Sequence, residues 1–162
     1  LIMITKKQYQ WDKAPVWAKY AARDSNGFAH WFEELPYPNM EDPFRLEWTI
    51  DRHFKIDSDC NPFWGIVDVP EALLSLESID NSVNPEDPLS IYLGAEISVI
   101  RMNKGNVRVS IFRNKSDNTY SYVNLTKSHI CSCRFKSIRD AFVDLSNYVK
   151  NGDVDFYSIE LV

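Results

Sequence analysis

Hydrophobic and polar residues alternate most clearly in the last third of the chain. Alternation with a period of two residues predicts strands that have one buried and one exposed face. The segments with an alternating or extended pattern are 96–102, 106–113, 119–125, 129–135 and 154–161. The turn sequence Asn103-Lys104-Gly105 joins the first two segments, which predicts an antiparallel hairpin.

Between the fourth and fifth of these strands, the spacing of apolar residues changes to that of a helix. The apolar stripe consists of Ile138, Ala141, Phe142, Leu145 and Val149. Ser137 is placed to cap this helix, with Asp140 three residues later as in a capping box, and Asn151-Gly152 is placed to end it. The C-terminal region is therefore predicted to be an antiparallel sheet with one helix packed on one face.

In the N-terminal region, two aromatic-rich runs at 17–23 and 28–33 flank the turn sequence Asp24-Ser25-Asn26-Gly27. This arrangement predicts a β-hairpin, because the turn supplies residues that tolerate a positive φ. The alternative is a helix over 14–23, with Pro15 in its first turn.

The segments that follow combine one alternating strand with irregular connections. Residues 45–50 predict a half-buried strand, whose apolar side carries Leu46, Trp48 and Ile50. Three prolines within 35–43 predict an irregular connection there. The region 57–88 is loop-rich, with a short helix predicted from Pro70 to Ile79.

The polar and proline-punctuated segment 80–88 predicts a boundary between two subdomains. We expect an α+β fold. An aromatic, acidic and β-rich subdomain at 3–79 precedes a subdomain of antiparallel sheet plus one packed helix at 89–162, and 80–88 connects them.

Composition predicts a folded globular protein, because 44% of the 162 residues are hydrophobic and 14% are aromatic. The three cysteines are an odd number, which argues against a disulfide framework and favours a reducing compartment. No apolar run approaches the ~18–20 residues of a membrane span, and no signal peptide opens the chain. We therefore expect a cytoplasmic protein with no membrane partner.

Charge changes this picture, because it is sorted along the chain. Residues 24–96 contain 16 acidic side chains and three basic ones, whereas residues 101–139 contain nine basic side chains and one acidic one, Asp117. We call these segments the acidic block and the basic block. Such asymmetry concerns partners and association rather than fold, and it allows two copies to pair head to tail as a homodimer.

The acidic block predicts a negative surface for a basic partner, with a tryptophan as anchor. The candidate partner-binding residues are Trp31, Glu33, Glu34, Glu41, Asp42, Glu47 and Trp48. The alternative interpretation is an ordinary solubilising surface, with the tryptophans in the core.

The basic block predicts a second candidate surface. Its candidate nucleic-acid-binding residues are Arg101, Lys104, Arg108, Arg113, Lys115 and Lys127. Mixed with Phe112, Tyr120 and Tyr122, they suit a phosphate backbone and stacked bases. The alternatives are solvated outer-face residues, or cations that neutralise the acidic block of the same molecule. The net charge of −5 weakens the nucleic-acid interpretation.

Signals for metal binding and catalysis are weak. His129, Cys131 and Cys133 alternate and, with Cys60, make four candidate zinc ligands, but their spacing is unlike that of a structural zinc site. A cysteine nucleophile paired with a histidine has no local signature here. No catalytic or phosphate-binding motif is present, so we expect no enzyme, no cofactor and no metal.

The N-terminal region resembles a short module of small accessory proteins of tailed bacteriophages. The resemblance covers about 25 residues and rests on Trp11-Asp12-Lys13-Ala14-Pro15-Val16-Trp17-Ala18, Asp24-Ser25-Asn26-Gly27 and Trp31-Phe32-Glu33. Small proteins of such phages include inhibitors of host defence, such as anti-CRISPR proteins. The resemblance therefore implies a phage origin and a place in the bacterial host cytoplasm, without assigning any functional residue.

Together these features predict a non-enzymatic inhibitor that binds a host nucleic-acid-handling protein or ribonucleoprotein complex through an acidic and aromatic surface. One alternative is a nucleic-acid-binding accessory protein that uses the basic sheet at 101–136. Another is an immunity protein that neutralises a basic toxin.

Overall fold

The structure is a computed structural model that describes residues 7–40, 42, 44–60, 63, 65–80 and 89–161. Within these residues the chain forms strands in three sheets and two α-helices. The N-terminal strands are β1 (Tyr20–Arg23), β2 (Ala29–Phe32), β3 (Tyr37–Asn39), β4 (Glu47–Thr49), β5 (Ile56–Cys60) and β6 (Glu77–Ser78). The C-terminal strands are β7 (Glu96–Ile100), β8 (Val107–Asn114), β9 (Thr119–Asn124), β10 (His129–Ile130) and β11 (Phe156–Glu160). The helices are α1 (Val69–Leu74) and α2 (Ile138–Lys150). The predicted α+β fold, with a C-terminal antiparallel sheet and a packed helix, is confirmed.

The C-terminal sheet has the strand order β10-β9-β8-β7-β11, with antiparallel neighbours throughout. Strands β7 to β10 form a meander, and α2 then returns the chain so that β11 pairs with β7. The predicted alternation of β8 does not hold at its centre, where Ser110 and Ile111 are neighbours on opposite faces and both are buried; Arg108, on the side predicted to face solvent, is exposed.

Helix α2 forms where the sequence predicts it. Ser137 Oγ accepts a hydrogen bond from Asp140 N (3.0 Å), so the cap satisfies a backbone donor that would lack a helical partner. The predicted stripe faces the core, since Ile138, Ala141, Phe142 and Leu145 are all buried. Gly152 follows the last turn with φ of 80°.

The N-terminal sheet has the strand order β5-β2-β1-β6. Strands β1 and β2 form the predicted hairpin, and the alternative helix over 14–23 does not form. Gly27 has a φ of +93°, and a Cβ atom there would lie 2.1 Å from Gly65 O. A side chain at this turn would therefore collide with backbone as well as adopt an unfavourable conformation.

Three predictions about local structure are wrong. The connection at 35–43 is not wholly irregular, because Tyr37–Asn39 forms β3 and pairs with β4. Pro38 is tolerated because β3 is in a two-stranded ribbon, where one side of the strand needs no ladder hydrogen bond. The region after residue 56 is more regular than predicted, since it contains β5 and β6. The helix predicted through Ile79 ends at Leu74, where Ser75 bonds to both Ala72 O and Arg23 N.

The predicted strand at 129–135 is also shorter than expected. Its regular part is His129–Ile130, and pairing resumes as a single bridge between Phe135 and Tyr120. Cys131 and Cys133 are joined by a disulfide with a Cα–Cα distance of 5.3 Å. Two residues of extended strand would span about 6.6 Å, so the backbone is bent here. The odd cysteine count thus did not exclude this one bridge.

One hydrophobic core contains residues from both predicted subdomains. Phe32, Trp48 and Leu73 belong to the same buried cluster as Ile111 and Phe142. A second, smaller cluster covers the opposite face of the N-terminal sheet, and it consists of Tyr9, Ala18, Ala21, Ala29, Trp31 and Cys60. Most of the predicted boundary loop, 81–88, lies outside the described residues. Within the part of the chain that the structure describes, no helix has both the length and the apolar character needed to cross a membrane.

Candidate functional site

The two tryptophans predicted as anchors lie inside the protein. Trp31 is 2% exposed and packs between the rings of Tyr9 and Trp11, and Trp48 is 3% exposed. Trp48 Nε1 donates to Ala72 O (3.1 Å), so even its polar atom has an internal partner. The expectation that one of them is a surface anchor is therefore wrong. The alternation of Leu46, Trp48 and Ile50 was the signal for burial.

The predicted carboxylates fall into two groups on the surface. Glu33 and Glu34 follow β2, and Glu33 Oε1 accepts a hydrogen bond from Lys55 N (3.0 Å). Asp42 and Glu47 belong to the β3–β4 hairpin, and both are exposed. Glu41 lies outside the described residues. The hairpin group lies beside three exposed aromatic rings.

Three aromatic side chains that the sequence analysis missed are exposed around this hairpin: Tyr37 (56%), Phe44 (52%) and Phe156 (42%). The rings of Phe44 and Phe156 meet edge to face, with centroids 5.6 Å apart. Asp42 Oδ1 accepts from Phe44 N (2.9 Å), so the turn that carries the carboxylate also orients the ring. The signal for Tyr37 is a proline on each side, which keeps it out of a long buried strand.

A groove lies between β3 and β11 and has a volume of about 560 Å³. Its lining residues are Tyr37, Pro38, Asn39, Met40, Tyr92, Ile159, Glu160 and Leu161. The buried Tyr92 contributes its hydroxyl, which bonds to Met40 Sδ (3.6 Å). β11 is the last strand in the order of its sheet and β3 belongs to a two-stranded sheet, so both strands that line the groove are edge strands.

We call the surface around this groove the acidic aromatic face. It is defined by Tyr37, Asp42, Phe44, Glu47, Asp155, Phe156, Glu160 and Leu161, all of which are exposed. Arg45 lies between Asp42 and Glu47, beside a small hollow that all three line. Among the described residues of this surface, the carboxylates of Asp42, Glu47, Asp155 and Glu160 outnumber the guanidinium of Arg45, so the face is negatively charged.

The predicted nucleic-acid-binding residues do not form one patch. Arg101, Lys104 and Lys127 belong to the turns at one end of the C-terminal sheet, and Lys115 belongs to the turn at the other end. The eight residues of β8 separate these ends by about 25 Å. Arg108 Nη1 pairs with Glu96 Oε1 (2.7 Å), and Arg113 Nη2 donates to Asn118 Oδ1 (2.6 Å).

The aromatic residues predicted to stack bases are also divided. Tyr122 lies opposite Ile111 in the ladder and therefore faces α2, where its hydroxyl donates to Ala141 O (2.8 Å). Phe112 lies opposite Ser121, on the other face of the sheet. The basic block thus offers separated cations without a shared aromatic platform.

Asp24, His30 and Ser58 form a series of hydrogen bonds. His30 Nε2 lies 2.8 Å from Asp24 Oδ2, and His30 Nδ1 lies 3.2 Å from Ser58 Oγ. Groups of this kind activate a serine nucleophile when the site excludes water. Ser58 is exposed on β5, at the edge of its sheet, and Asp24 Oδ1 also accepts from Trp48 N (2.8 Å). We therefore assign the series to holding the β1–β2 turn against β4 and β5.

The candidate zinc ligands do not converge. Cys131 and Cys133 are bonded to each other, and Cys60 is buried in the second cluster of the N-terminal sheet. Burial raises the pKa of Cys60 to about 12, so its thiol stays protonated at neutral pH. Among the described residues, no three His, Cys, Asp or Glu side chains are grouped to hold a metal ion.

No protein-family model, curated protein or solved structure matches this chain. Its function therefore has to be inferred from the chemistry of its own surfaces. The acidic aromatic face brings together a groove of about 560 Å³ and the exposed rings and carboxylates of one hairpin.

Proposed function

We propose that the protein is a non-enzymatic inhibitor of a nucleic-acid-handling protein or ribonucleoprotein complex of a bacterial host. In this proposal the acidic aromatic face covers a basic surface of the target. The observation that carries the proposal is the placement of three exposed aromatic rings among four carboxylates, beside a groove between two strand edges. Exposed apolar groups that lie together and are rimmed by polar residues, unlike single ones, often mark an interaction site.

The chemistry of the face suits a lysine- and arginine-rich segment. Carboxylates of Asp42, Glu47 and Glu160 attract cations, and a guanidinium stacks favourably on an exposed Tyr or Phe ring. The edge strand β11 supplies backbone groups to which an extended segment adds as a further strand. Because nucleic acid has the same sign of charge as this face, the protein and the nucleic acid compete for the target.

The first test uses a labelled, arginine- and lysine-rich peptide of about 12 residues as the probe, with fluorescence anisotropy at about 50 mM salt. The double variant Glu47→Gln/Glu160→Gln should weaken binding about tenfold, because two of the four carboxylates of the acidic aromatic face lose their charge. The matched control is Asp12→Asn/Asp51→Asn, which removes the same charge from positions outside the face. Equal affinities of the two double variants would contradict the proposal.

A second variant separates the aromatic contribution from charge. Phe44→Ala should weaken peptide binding about fivefold to thirtyfold while leaving the net charge unchanged, as expected for an exposed aromatic anchor. Phe28→Ala is the control, because Phe28 is similarly exposed (54%) but its ring contacts Phe63 and it is not a residue of the acidic aromatic face. A mobility shift of short DNA or RNA by the wild-type protein under these conditions would instead favour the nucleic-acid-binding alternative.

A further inference from the structure

A second cavity of about 330 Å³ lies between the C-terminal half of α2 and the sheet beneath it. Its lining residues are Val99, Arg101, Lys104, Val109, Tyr122, Leu145, Tyr148, Asp153, Val154 and Tyr157. The volume is at the small end of the range for ligand pockets, which suits a body of one or two aromatic rings. The acidic aromatic face contributes no residue to it.

Two tyrosine rings form part of the wall and are held in place by the helix above. Tyr122 Oη donates to Ala141 O (2.8 Å), and Tyr157 Oη donates to Leu145 O (2.8 Å). Burial raises the pKa of both phenols well above the usual range, so both remain donors at neutral pH. Tyr122 Oη also lies 3.0 Å from Asp144 Oδ2, so both hydroxyls already have partners on α2, and the rings act as fixed apolar walls beside Val99 and Leu145.

The rim of the cavity is charged. The β7–β8 turn supplies Arg101 and Lys104, and Tyr148 and Asp153 come from the end of α2 and the turn after it. Arg101 Nε and Nη2 both donate to Gly105 O (3.0 and 2.5 Å), which holds the guanidinium in one orientation. A cation held in place before binding loses less side-chain entropy when an anion arrives.

We propose that this cavity binds a small, flat aromatic anion. Its rings lie between the tyrosine and aliphatic walls, and its carboxylate or phosphate pairs with Arg101 and Lys104 at the rim. The inference is independent of the proposed function, since none of these residues belongs to the acidic aromatic face. The proposal also places Arg101 and Lys104, two of the residues predicted to contact phosphate, in one site at one end of the sheet.

The test is an NMR titration of the isotope-labelled full chain with two anions and their uncharged counterparts. Adenosine 5′-monophosphate is compared with adenosine, and indole-3-acetate with indole, so that a phosphate and a carboxylate are distinguished. We expect one of the anions to shift the backbone signals of Val99, Val109 and Leu145, and to bind about fivefold to tenfold tighter than its uncharged counterpart.

Charge variants assign the effect to the rim. Lys104→Gln alone, and Arg101→Gln/Lys104→Gln together, should reduce or abolish the preference for the anion. Arg113→Gln/Lys115→Gln, at the far end of the sheet, should leave it unchanged. The single Lys104 variant keeps the test valid if loss of Arg101 disturbs the turn. Equal binding of charged and uncharged compounds, or no shift of the cavity signals at millimolar concentration, would overturn the proposal.

Discussion

The acidic and basic blocks differ less in their charge density than in what surrounds the charge. Among the described residues of the acidic block, the exposed aromatic side chains are Phe28, Tyr37, Phe44, Phe54 and Phe63. In the basic block, 101–139, the exposed large hydrophobic side chains are Met102, Leu125 and Ile130, with no aromatic ring among them. A run of like charges in a sequence therefore does not by itself define a binding surface. Whether aromatic groups stay in water beside the charges is the more useful criterion.

The length of the secondary-structure elements explains this difference. Strands β1 to β6 contain two to five residues each, and short strands with irregular connections leave part of their apolar side chains uncovered. The basic block includes the eight-residue β8 and leads into the 13-residue α2, whose apolar stripe covers Ile111 and packs near Tyr122. In the described part of the acidic block five aromatic rings stay exposed, whereas the rings of the basic block (Phe112, Tyr120, Tyr122 and Phe135) are all partly buried.

The largest expected effect tests this contrast directly. Phe142 is fully buried and meets Tyr92 edge to face at 5.9 Å, whereas Phe44 is 52% exposed. Phe142→Ala should lower the free energy of unfolding by about 3–5 kcal/mol, because it leaves a cavity in the shared core. Phe44→Ala should change it by less than about 1 kcal/mol. Urea unfolding of both variants measures the difference, and comparable losses would mean that Phe44 is a structural residue.

The second prediction concerns the hairpin that begins the acidic block. Gly27→Ala should cost about 2–4 kcal/mol, because the new Cβ atom meets Gly65 O and the residue has a positive φ. Gly152→Ala is the matched control after α2. Its φ is +80°, but the space around a Cβ atom there is open, so strain of about 1 kcal/mol is expected. Thermal or urea unfolding compares the two, and equal losses would show that the close approach of the Gly65 backbone is unimportant.

These two positions also show how far the sequence predicts the structure. Helix α2 was predictable because its signals are local: Ser137 caps it, an apolar stripe that includes Phe142 runs along it, and Gly152 follows its end. The contact of Gly27 with Gly65 joins residues 38 positions apart in the chain, and no local pattern encodes it. The same holds for the pairing of β11 with β7, which the helix between them makes possible.

The sequence predicted the negative charge of the candidate site but not its exposed aromatic residues. Asp42 and Glu47 were identified from the acidic run, and both are exposed. Phe44 and Phe156 lie 112 positions apart, and they meet only because the β3–β4 hairpin packs beside the first residue of β11. Tryptophan content suggested the wrong anchors, because large rings dominate cores as well as interfaces.

The third prediction concerns how stability depends on pH at Asp68, a carboxyl that joins α1 to α2. Burial raises the pKa of Asp68, which caps α1 by accepting from Glu71 N (2.8 Å) and also accepts from Ser146 Oγ of α2 (3.1 Å). A carboxyl whose folded-state pKa is above its unfolded value contributes stability at pH below the unfolded pKa, and this is lost as pH rises through the folded pKa. Asp68→Asn should therefore become more stable relative to wild type between pH 3 and pH 7.

Asparagine keeps an oxygen for the cap, so this variant changes the charge more than the hydrogen bonds. Urea unfolding at both pH values gives the change in relative stability. Asp140→Asn is the control in the first turn of α2, where the residue is exposed. A relative stability of Asp68→Asn that stays constant or falls as pH rises would show that burial does not dominate at this carboxyl.

The smallest expected effect tests whether attraction between the acidic block and the basic block stabilises the fold. An ion pair joins Glu96 at the end of the acidic block to Arg108 in the basic block, with side chains 34% and 56% exposed. An exposed pair of this kind contributes about 0.2–1 kcal/mol, and salt screens it. A double-mutant cycle with Glu96→Gln and Arg108→Gln should give a coupling in this range, which falls toward zero at about 0.5 M salt. A coupling well above 1 kcal/mol that survives salt would mean that attraction between the blocks stabilises the fold. A small coupling energy that disappears in salt would mean that the charges of both blocks remain accessible to solvent and to partners. The proposed binding role of the acidic aromatic face requires such accessible charges.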